Sequence, residues 1–242
     1  MFDAAEFVER AVSWIRDEIG EAGAKGGVVG ISGGVDSAVV ALLLKRAMGE
    51  NMLGLIMPCR SVSSDLSDAL EFVKAFEIPY RLVDLSSIYE AFLNILGEVD
   101  KRGDIALANI KPRLRMITLY YFANRLNYLV VGTGNRSELE VGYFTKYGDG
   151  GVDILPIGSL VKSEVREVAR HLGVPEKIIH KPPTAGLWDG QTDEGEMGIT
   201  YEVLDKYLLE GKADPDIVRK IEGMRKRSDH KRMPPKVLLF KK

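Results

Sequence analysis

Apolar residues recur at every third or fourth position across residues 3–19, DAAEFVERAVSWIRDEI. That spacing predicts a helix with one stripe turned toward a core. Asp3 stands before it as N-cap, and Glu6 stands where a capping box needs its acid. The pattern then changes. Short apolar runs, GVVGIS, MLGLIMP, YRLVDL, YLVVGTG and VDILPI, alternate with longer stretches of helical periodicity. Buried strands between helices are expected. Residues 36–48 are apolar all round and predict a buried helix, whereas 64–76 and 87–96 follow serines and predict surface helices. A long helix is expected over 105–125, with Pro112 in a first turn or at a break. Another is expected over 161–172, stopped by Gly173 with Pro175 beyond.

Strand and helix in alternation imply a doubly wound α/β fold: a five-stranded parallel sheet, order 3-2-1-4-5, with right-handed crossovers and helices on both faces. The clusters SGGVDS, CRSVSS and GTGNRSE, and the loop before Lys162, all follow strands. They are expected to meet on the carboxyl rim of the sheet, where such folds bind ligands. From HKPPTAGLWDGQTDEGEMG onward the strand pattern stops, and a loop and helix C-terminal appendage is expected. With no internal repeat or low-complexity linker, residues 1–242 are expected to form one domain.

Composition narrows the partners. At 242 residues, 45% apolar and 28% charged, the chain is expected to fold around its own core, burying roughly 70–75% of its unfolded surface. A net charge of -2 supplies no field to recruit nucleic acid or an anionic membrane, so neither is expected as a partner. The basic stretch RKIEGMRKRSDHKRMPPK is a local exception, either a solvated helix and tail or a phosphate clamp. Cys59 is the single cysteine, so no internal disulfide or CxxC pair can form. A reducing compartment fits. The opening residues lack a basic region followed by an apolar core, and no apolar run approaches the ~18 residues of a membrane span. The expected location is the cytoplasm.

The loop after the first predicted strand carries Gly30, Gly33 and Gly34 and runs into a helix N-terminus, an arrangement that suits an anion. It lacks the lysine of GxxxxGK[ST] and the spacing of GxGxxG. Asp36 is out of place there. It either caps the helix or faces the anion through a cation. Without a cation, a carboxylate about 4 Å from a phosphate charge is repelled by ~4 kcal/mol at an effective dielectric of about 20. Magnesium prefers one or two carboxylates with phosphate oxygens and water, so a second carboxylate is expected on the same rim. Glu138 in GTGNRSE fits that position, and it equally fits the role of an acid at a helix N-terminus.

SGGVDS resembles the pyrophosphate-binding loop of the ATP-pyrophosphatase group, whose members activate carboxyl or carbonyl groups by adenylation. NIKPRLRM, FTKYGDGGVDILPI, KPPTAGLWDGQTDE and SDHKR, in that order, resemble the NAD synthetase family, and the resemblance extends over nearly the whole chain. It implies amidation of deamido-NAD by ammonia through a nicotinate adenylate, with AMP and pyrophosphate released. It also implies ATP contacts from Gly30, Ile31, Ser32, Gly33, Gly34, Val35, Asp36, Ser37, Thr133, Lys162 and Thr184. Magnesium would fall to Asp36 and Glu138, and deamido-NAD to Arg113, Lys146, Asp153, His230 and Lys231. Asp36 and Lys162 are the expected catalytic residues, and a homodimer is implied.

Each assignment has a plainer alternative. Arg113, Lys146 and His230 are residue types that usually lie solvated, and Lys162 has Glu164 and Glu167 within one helical turn or so. Asp153, inside an apolar run, reads as a buried carboxylate in need of partners. Ser32 and Ser37 read as phosphate donors because no histidine pairs with them in the motif. Tyr143 and Trp188 either stack on a ring or simply pack. Cys59 in MPCRSVSS departs from the family pattern and leaves the adenine contacts open. No amidase motif is present, so free ammonium is the expected nitrogen source. The other functions compatible with the loop are a different adenylating amidotransferase and a non-catalytic nucleotide sensor.

Overall fold

The structure, a computed structural model, describes residues 2–61, 63–101, 103–188 and 190–239. α1 (Ala4–Glu21) precedes β1 (Gly26–Gly30), α2 (Val35–Met48), β2 (Met52–Ile56), α3 (Ser63–Ala75), β3 (Tyr80–Leu82) and α4 (Ser86–Leu96). The short α5 (Ile105–Ala108) leads to α6 (Ile110–Leu126), β4 (Tyr128–Val131), α7 (Arg136–Val141) and α8 (Lys162–His171). α9 (Glu176–Ile179), α10 (Asp193–Met197), α11 (Tyr201–Glu210) and α12 (Pro215–Arg232) complete the chain. Asp3 caps α1 as predicted, accepting from the amides of Ala5 and Glu6 at 2.9 and 3.1 Å. Glu6 turns to Arg10 instead of closing a capping box. Pro112 sits in the first turn of α6, where its missing N–H breaks no helical bond.

The strands form a four-stranded parallel sheet in the order 3-2-1-4. Neighbouring residues of β1 feed opposite faces, as the pleat requires. Val29 packs with Ile15, Leu43, Val165 and Val168 under α1, α2 and α8. Val28 packs with Leu55, Tyr89, Ala123 and Val130 under α4 and α6. Each such aliphatic, fully withdrawn from water, contributes about 1.5–3 kcal/mol. The edge strand β3 departs from the expected burial, with Leu82 50% exposed. A third apolar cluster, around Val141, Met197, Tyr201, Leu204 and Ile221, joins α7, α10, α11 and α12 and makes the C-terminal appendage part of the same body.

The expected fifth strand does not form. VDILPI contributes a single parallel bridge, Val131 to Ile154. Two local causes stop the ladder. The Asp153 carboxylate itself accepts the Val130 amide, at 2.7 Å, and Pro156 has no N–H to offer.

Candidate active site

β1 is central, with β2 on one side and β4 on the other, so the chain leaves β1 in one direction and returns on the far side. At this reversal the loop after β1 and the loop after β4 diverge and open a crevice. A cleft of about 520 Å³ opens there, lined among others by Ser32, Asp36, Ser37, Thr133, Glu138, Lys162, Thr184 and Lys231. Gly30 lines a smaller adjoining cavity of about 150 Å³.

The glycine loop is shaped by its neighbours. Gly33 has φ +81°, and a Cβ there would lie 2.6 Å from the Asp65 carbonyl oxygen, so glycine is required for α3 to dock. Gly34 is the N-cap of α2 and brings no side chain to the first-turn amides. Those amides remain available to an anion. Ser37 Oγ donates to the Gly34 carbonyl at 2.9 Å and accepts the Ser32 amide at 3.2 Å. This braces the loop.

Asp36 does not cap its helix. Its Oδ1 accepts from Asn135 Nδ2 at 2.9 Å and its Oδ2 from Lys162 Nζ at 2.5 Å. Glu138 does both things its position allowed. Oε2 closes a capping box with the Asn135 amide, while Oε1 lies 3.5 Å from Lys162 Nζ. Lys162 ignores Glu164 and Glu167 and is only 2% exposed, with its ammonium 4.9 Å over the Tyr201 ring. The start of α8 is locked in place. Ser137 Oγ accepts the Lys162 amide and donates to Asp205, whose other oxygen accepts the Ser163 amide.

One ammonium thus already bridges the two carboxylates, which tests their fit to a metal ion directly. A divalent ion that takes one or two carboxylates and completes its shell with phosphate oxygens and water suits this donor pair. Among the described residues no three acids, histidines or cysteines lie close enough to hold an ion by themselves.

Burial pushes the Glu138 carboxyl from 4.5 up to about 8, with Lys162 pulling it down and Asp36 and Asp193 pushing it further up. An acid whose pKa rises on folding holds more protons in the native state between the two values, so stability falls as pH climbs from 4.5 through about 8. Metal-free protein is expected to show this decline in urea melts taken across that window. Glu138→Gln is expected to flatten it, and an equally steep decline in the variant would assign the effect to another group.

The residues expected to touch deamido-NAD divide. Arg113, Lys146 and His230 are gathered at one exposed rim: Arg113 Nη2 lies 3.5 Å from the Lys146 carbonyl, and Lys146 Nζ donates to the His230 carbonyl at 2.5 Å. Lys231 reaches the cleft wall, donating to the carbonyls of Gly142 and Phe144 at 2.8 Å each. Asp153 stands apart and exposed. Tyr120 and the Val130 amide are its partners, so it is not the buried strand carboxylate expected from the apolar run.

Other residues in and around the cleft escaped the sequence reading. Arg115, two positions beyond Arg113, lines the cleft and donates to the Met57 carbonyl at 3.1 Å. Two helical steps turn a side chain by roughly 200°, which explains why one arginine faces inward and the other out. Lys181 joins the loop before α10 to α3 through Asp65 and Asp68, at 2.7 and 2.6 Å. Lys111 Nζ donates to the Leu187 carbonyl at 2.6 Å and holds the same loop from α6. Asp193, Glu196 and Tyr201 lie within or just after KPPTAGLWDGQTDE, but nothing in that string says which acid faces inward.

A glycine loop at the switch point of a parallel sheet, opposite a buried lysine and two carboxylates, is an arrangement of α/β proteins that suits an anionic ligand. The comparisons are more specific. The NAD synthase family model matches residues 7–235, and the chain belongs to that family. The NH3-dependent NAD(+) synthetase of Carboxydothermus hydrogenoformans is 55% identical over 234 residues, covering 96% of each chain. Among solved structures, NMN synthetase from Francisella tularensis superposes with a TM-score of 0.93 at 38% identity, over 99% of this chain and 100% of that one. NH3-dependent NAD synthetase from Campylobacter jejuni superposes at 0.81 with 33% identity, over 99% and 100%.

Proposed function

We propose that this protein makes NAD from deamido-NAD, ATP and ammonia, a reading supported by the 55%-identical relative, which is an NH3-dependent NAD(+) synthetase. The observation that carries the reading is the buried Lys162 held between Asp36 and Glu138 opposite the glycine loop. A nicotinate carboxylate is a poor acyl donor because its charge is delocalised and its oxygen leaves badly. It attacks the α-phosphorus of ATP, the bond to pyrophosphate breaks, and an acyl adenylate forms. Ammonia then attacks the acyl carbon, AMP leaves, and the surplus protons pass to solvent.

The α2 amides, Ser32 and Ser37 are arranged to receive the pyrophosphate oxygens, and the Lys162 ammonium offsets the charge that develops as pyrophosphate departs. Asp36 and Glu138 would hold magnesium, which when bound supplies positive charge to the phosphates. Thr133 and Thr184 line the same cleft and suit the rest of ATP. The basic rim of Arg113, Lys146, His230 and Lys231 suits a dinucleotide pyrophosphate, whereas Asp153 meets this substrate only if its Tyr120 bond is exchanged for a ribose hydroxyl. Much of the acceleration comes from aligning two anions that repel each other.

Cys59 is the only cysteine, and it is fully buried against the Leu85 carbonyl with its thiol pKa raised by burial. Free ammonium is the proposed nitrogen source, in keeping with the NH3-dependent relatives, and residues 1–242 act as one synthetase domain. No helix among the described residues is long and apolar enough to cross a membrane, and the cytoplasm is the proposed location. The decisive assay incubates the protein with ATP, magnesium, deamido-NAD and ammonium and quantifies NAD, AMP and pyrophosphate. ADP in place of AMP would sink the adenylation step, and glutamine working as well as ammonium would sink the nitrogen source.

A second acyl substrate is favoured by the 0.93 superposition on an NMN synthetase. The same assay with nicotinate mononucleotide in place of deamido-NAD ranks the two by kcat/KM.

A homodimer is also proposed. Ile88, Phe92 and Ile95 of α4 and Ile117 and Tyr121 of α6 are all between 42% and 80% exposed. So much apolar surface on two helices packed together suits a second copy. Sedimentation is expected to show a dimer that Ile117→Lys with Tyr121→Lys dissociates. A monomeric parent would overturn it.

A further inference from the structure

The connection from α9 to α10 forms no helix or strand among its described residues, yet every residue from Pro182 to Trp188 lines the cleft. Such a stretch makes a defined wall only where something outside it fixes it. Two lysines do so. Lys181, at its start, pairs with Asp65 and Asp68 of α3 at 2.7 and 2.6 Å. Lys111 of α6 donates to the Leu187 carbonyl, near its end, at 2.6 Å. The other hydrogen bonds of residues 182–188, among the described residues, stay within the connection and the first residue of α10. Thr184 Oγ1 accepts the Gly186 amide, Gln191 Oε1 accepts the Leu187 amide, and the Pro183 and Trp188 carbonyls accept the amides of Asp193 and Gln191.

Both anchors belong to the architecture of the site. The Asp65 carbonyl oxygen is the atom that leaves Gly33 no room for a Cβ, and the Asp65 carboxylate takes Lys181. The glycine loop and the opposite strap are thus set against one residue of α3. Lys111 is only 3% exposed and sits behind the cleft lining. Its single hydrogen bond among the described residues goes to Leu187, with the Asp100 carboxylate 4.0 Å away and the Tyr89 ring 5.0 Å away. Withdrawing an ammonium from water for one carbonyl is costly. A lysine that presents nothing to the cleft and holds its wall acts by positioning.

We infer that Lys111 and Lys181 clamp residues 182–188 as one strap across the cleft and raise ATP affinity by keeping Thr184 and its neighbours in place. The inference rests on the ATP reading of this cleft. If only a fraction of molecules held the strap in position, apparent affinity would fall by that fraction. The chemistry is affected far less, because Asp36, Glu138 and Lys162 are fixed by one another and by Asn135. A hydrogen bond from a charged donor corresponds to about 10-fold in such an equilibrium.

Lys111→Met and Lys181→Met are each expected to raise the KM for ATP, and the Kd for α,β-methylene-ATP with magnesium, by about 10-fold. The kcat at saturating ATP is expected to stay within about twofold of the parent, with the KM for ammonium unchanged. Lys111→Arg, which keeps a charged donor of similar reach, is expected to recover most of the affinity. Lys111→Gln, polar but too short to reach Leu187, carries the same expectation as the methionine variant if that one folds poorly. Trp188 reports on the strap directly once the other tryptophan is removed by Trp14→Phe. Acrylamide is expected to quench it more strongly in the Lys111 and Lys181 variants, and the ATP analogue to reverse the difference. Unchanged analogue affinity in a folded Lys111 variant would overturn the clamp. A loss confined to Lys181→Met would overturn it too and make Lys181 a direct ligand. So would a fall in kcat with the KM for ATP unchanged. Analogue binding needs no turnover, so a parent that binds it and makes no NAD would overturn the amidation reading and leave the clamp standing.

Discussion

Asp36→Asn is expected to lower kcat/KM for NAD formation by about 10³-fold or more, while costing less stability than removal of Lys162, the ammonium it faces. The substitution deletes one negative charge and almost no volume. At about 4 Å and an effective dielectric of about 20, a unit charge is worth ~4 kcal/mol, which is about three decades in rate. The fold loses only part of the charged cluster. The Asn135 bond to Oδ1 can be kept by the new carboxamide oxygen, and Lys162 still has Glu138. The measurement is AMP release dependent on deamido-NAD at fixed magnesium, beside a thermal melt. Activity within about tenfold of the parent would remove Asp36 from the reacting centre.

Lys162→Met is expected to damage both stability and turnover. The side chain is 2% exposed, and burial opposes its charge while Asp36 and Glu138 favour it and raise its pKa above the ordinary lysine value. A raised lysine contributes stability that is complete below its unfolded pKa of 10.5 and is lost only above it, so it adds no pH dependence near neutrality. Removing one member of a buried pair costs about 3–5 kcal/mol because the surviving charges stay buried without compensation. Urea melts are expected to show a loss of that size. The double substitution with Asp36→Asn is expected to recover part of the stability and none of the activity, since it removes one of the stranded carboxylates. Strict additivity of the two losses would mean that the ion pair at 2.5 Å is not coupled.

Much of the fold was legible because its signals are local. The apolar runs became β1 to β4 in the expected neighbour order, and the apolar helix after the glycine loop is buried along nearly its whole length. Local signals misled where a long-range partner intervened. VDILPI has the composition of a strand, but Asp153 takes the amide that a fifth strand would need. In the site, Asp36 and Glu138 were picked out by motif and charge and Lys162 by the family resemblance, and the three do converge. Asp193 and Arg115 were overlooked because their orientation is set by the packing of α10 and α6, which no short window encodes.

By itself the sequence determined the alternation of helices with four of the five expected strands and placed a glycine loop and a second carboxylate after strands, since periodicity and glycine placement act over neighbouring residues. Only the tertiary structure decided that Lys162 lies 2.5 Å from a residue 126 positions away. It also decided that the sheet stops at four strands and that Asp193, in a conspicuous motif, is buried beneath the Tyr201 hydroxyl. Those outcomes depend on which distant side chains compete for the same donor, and that competition exists only once the chain is packed.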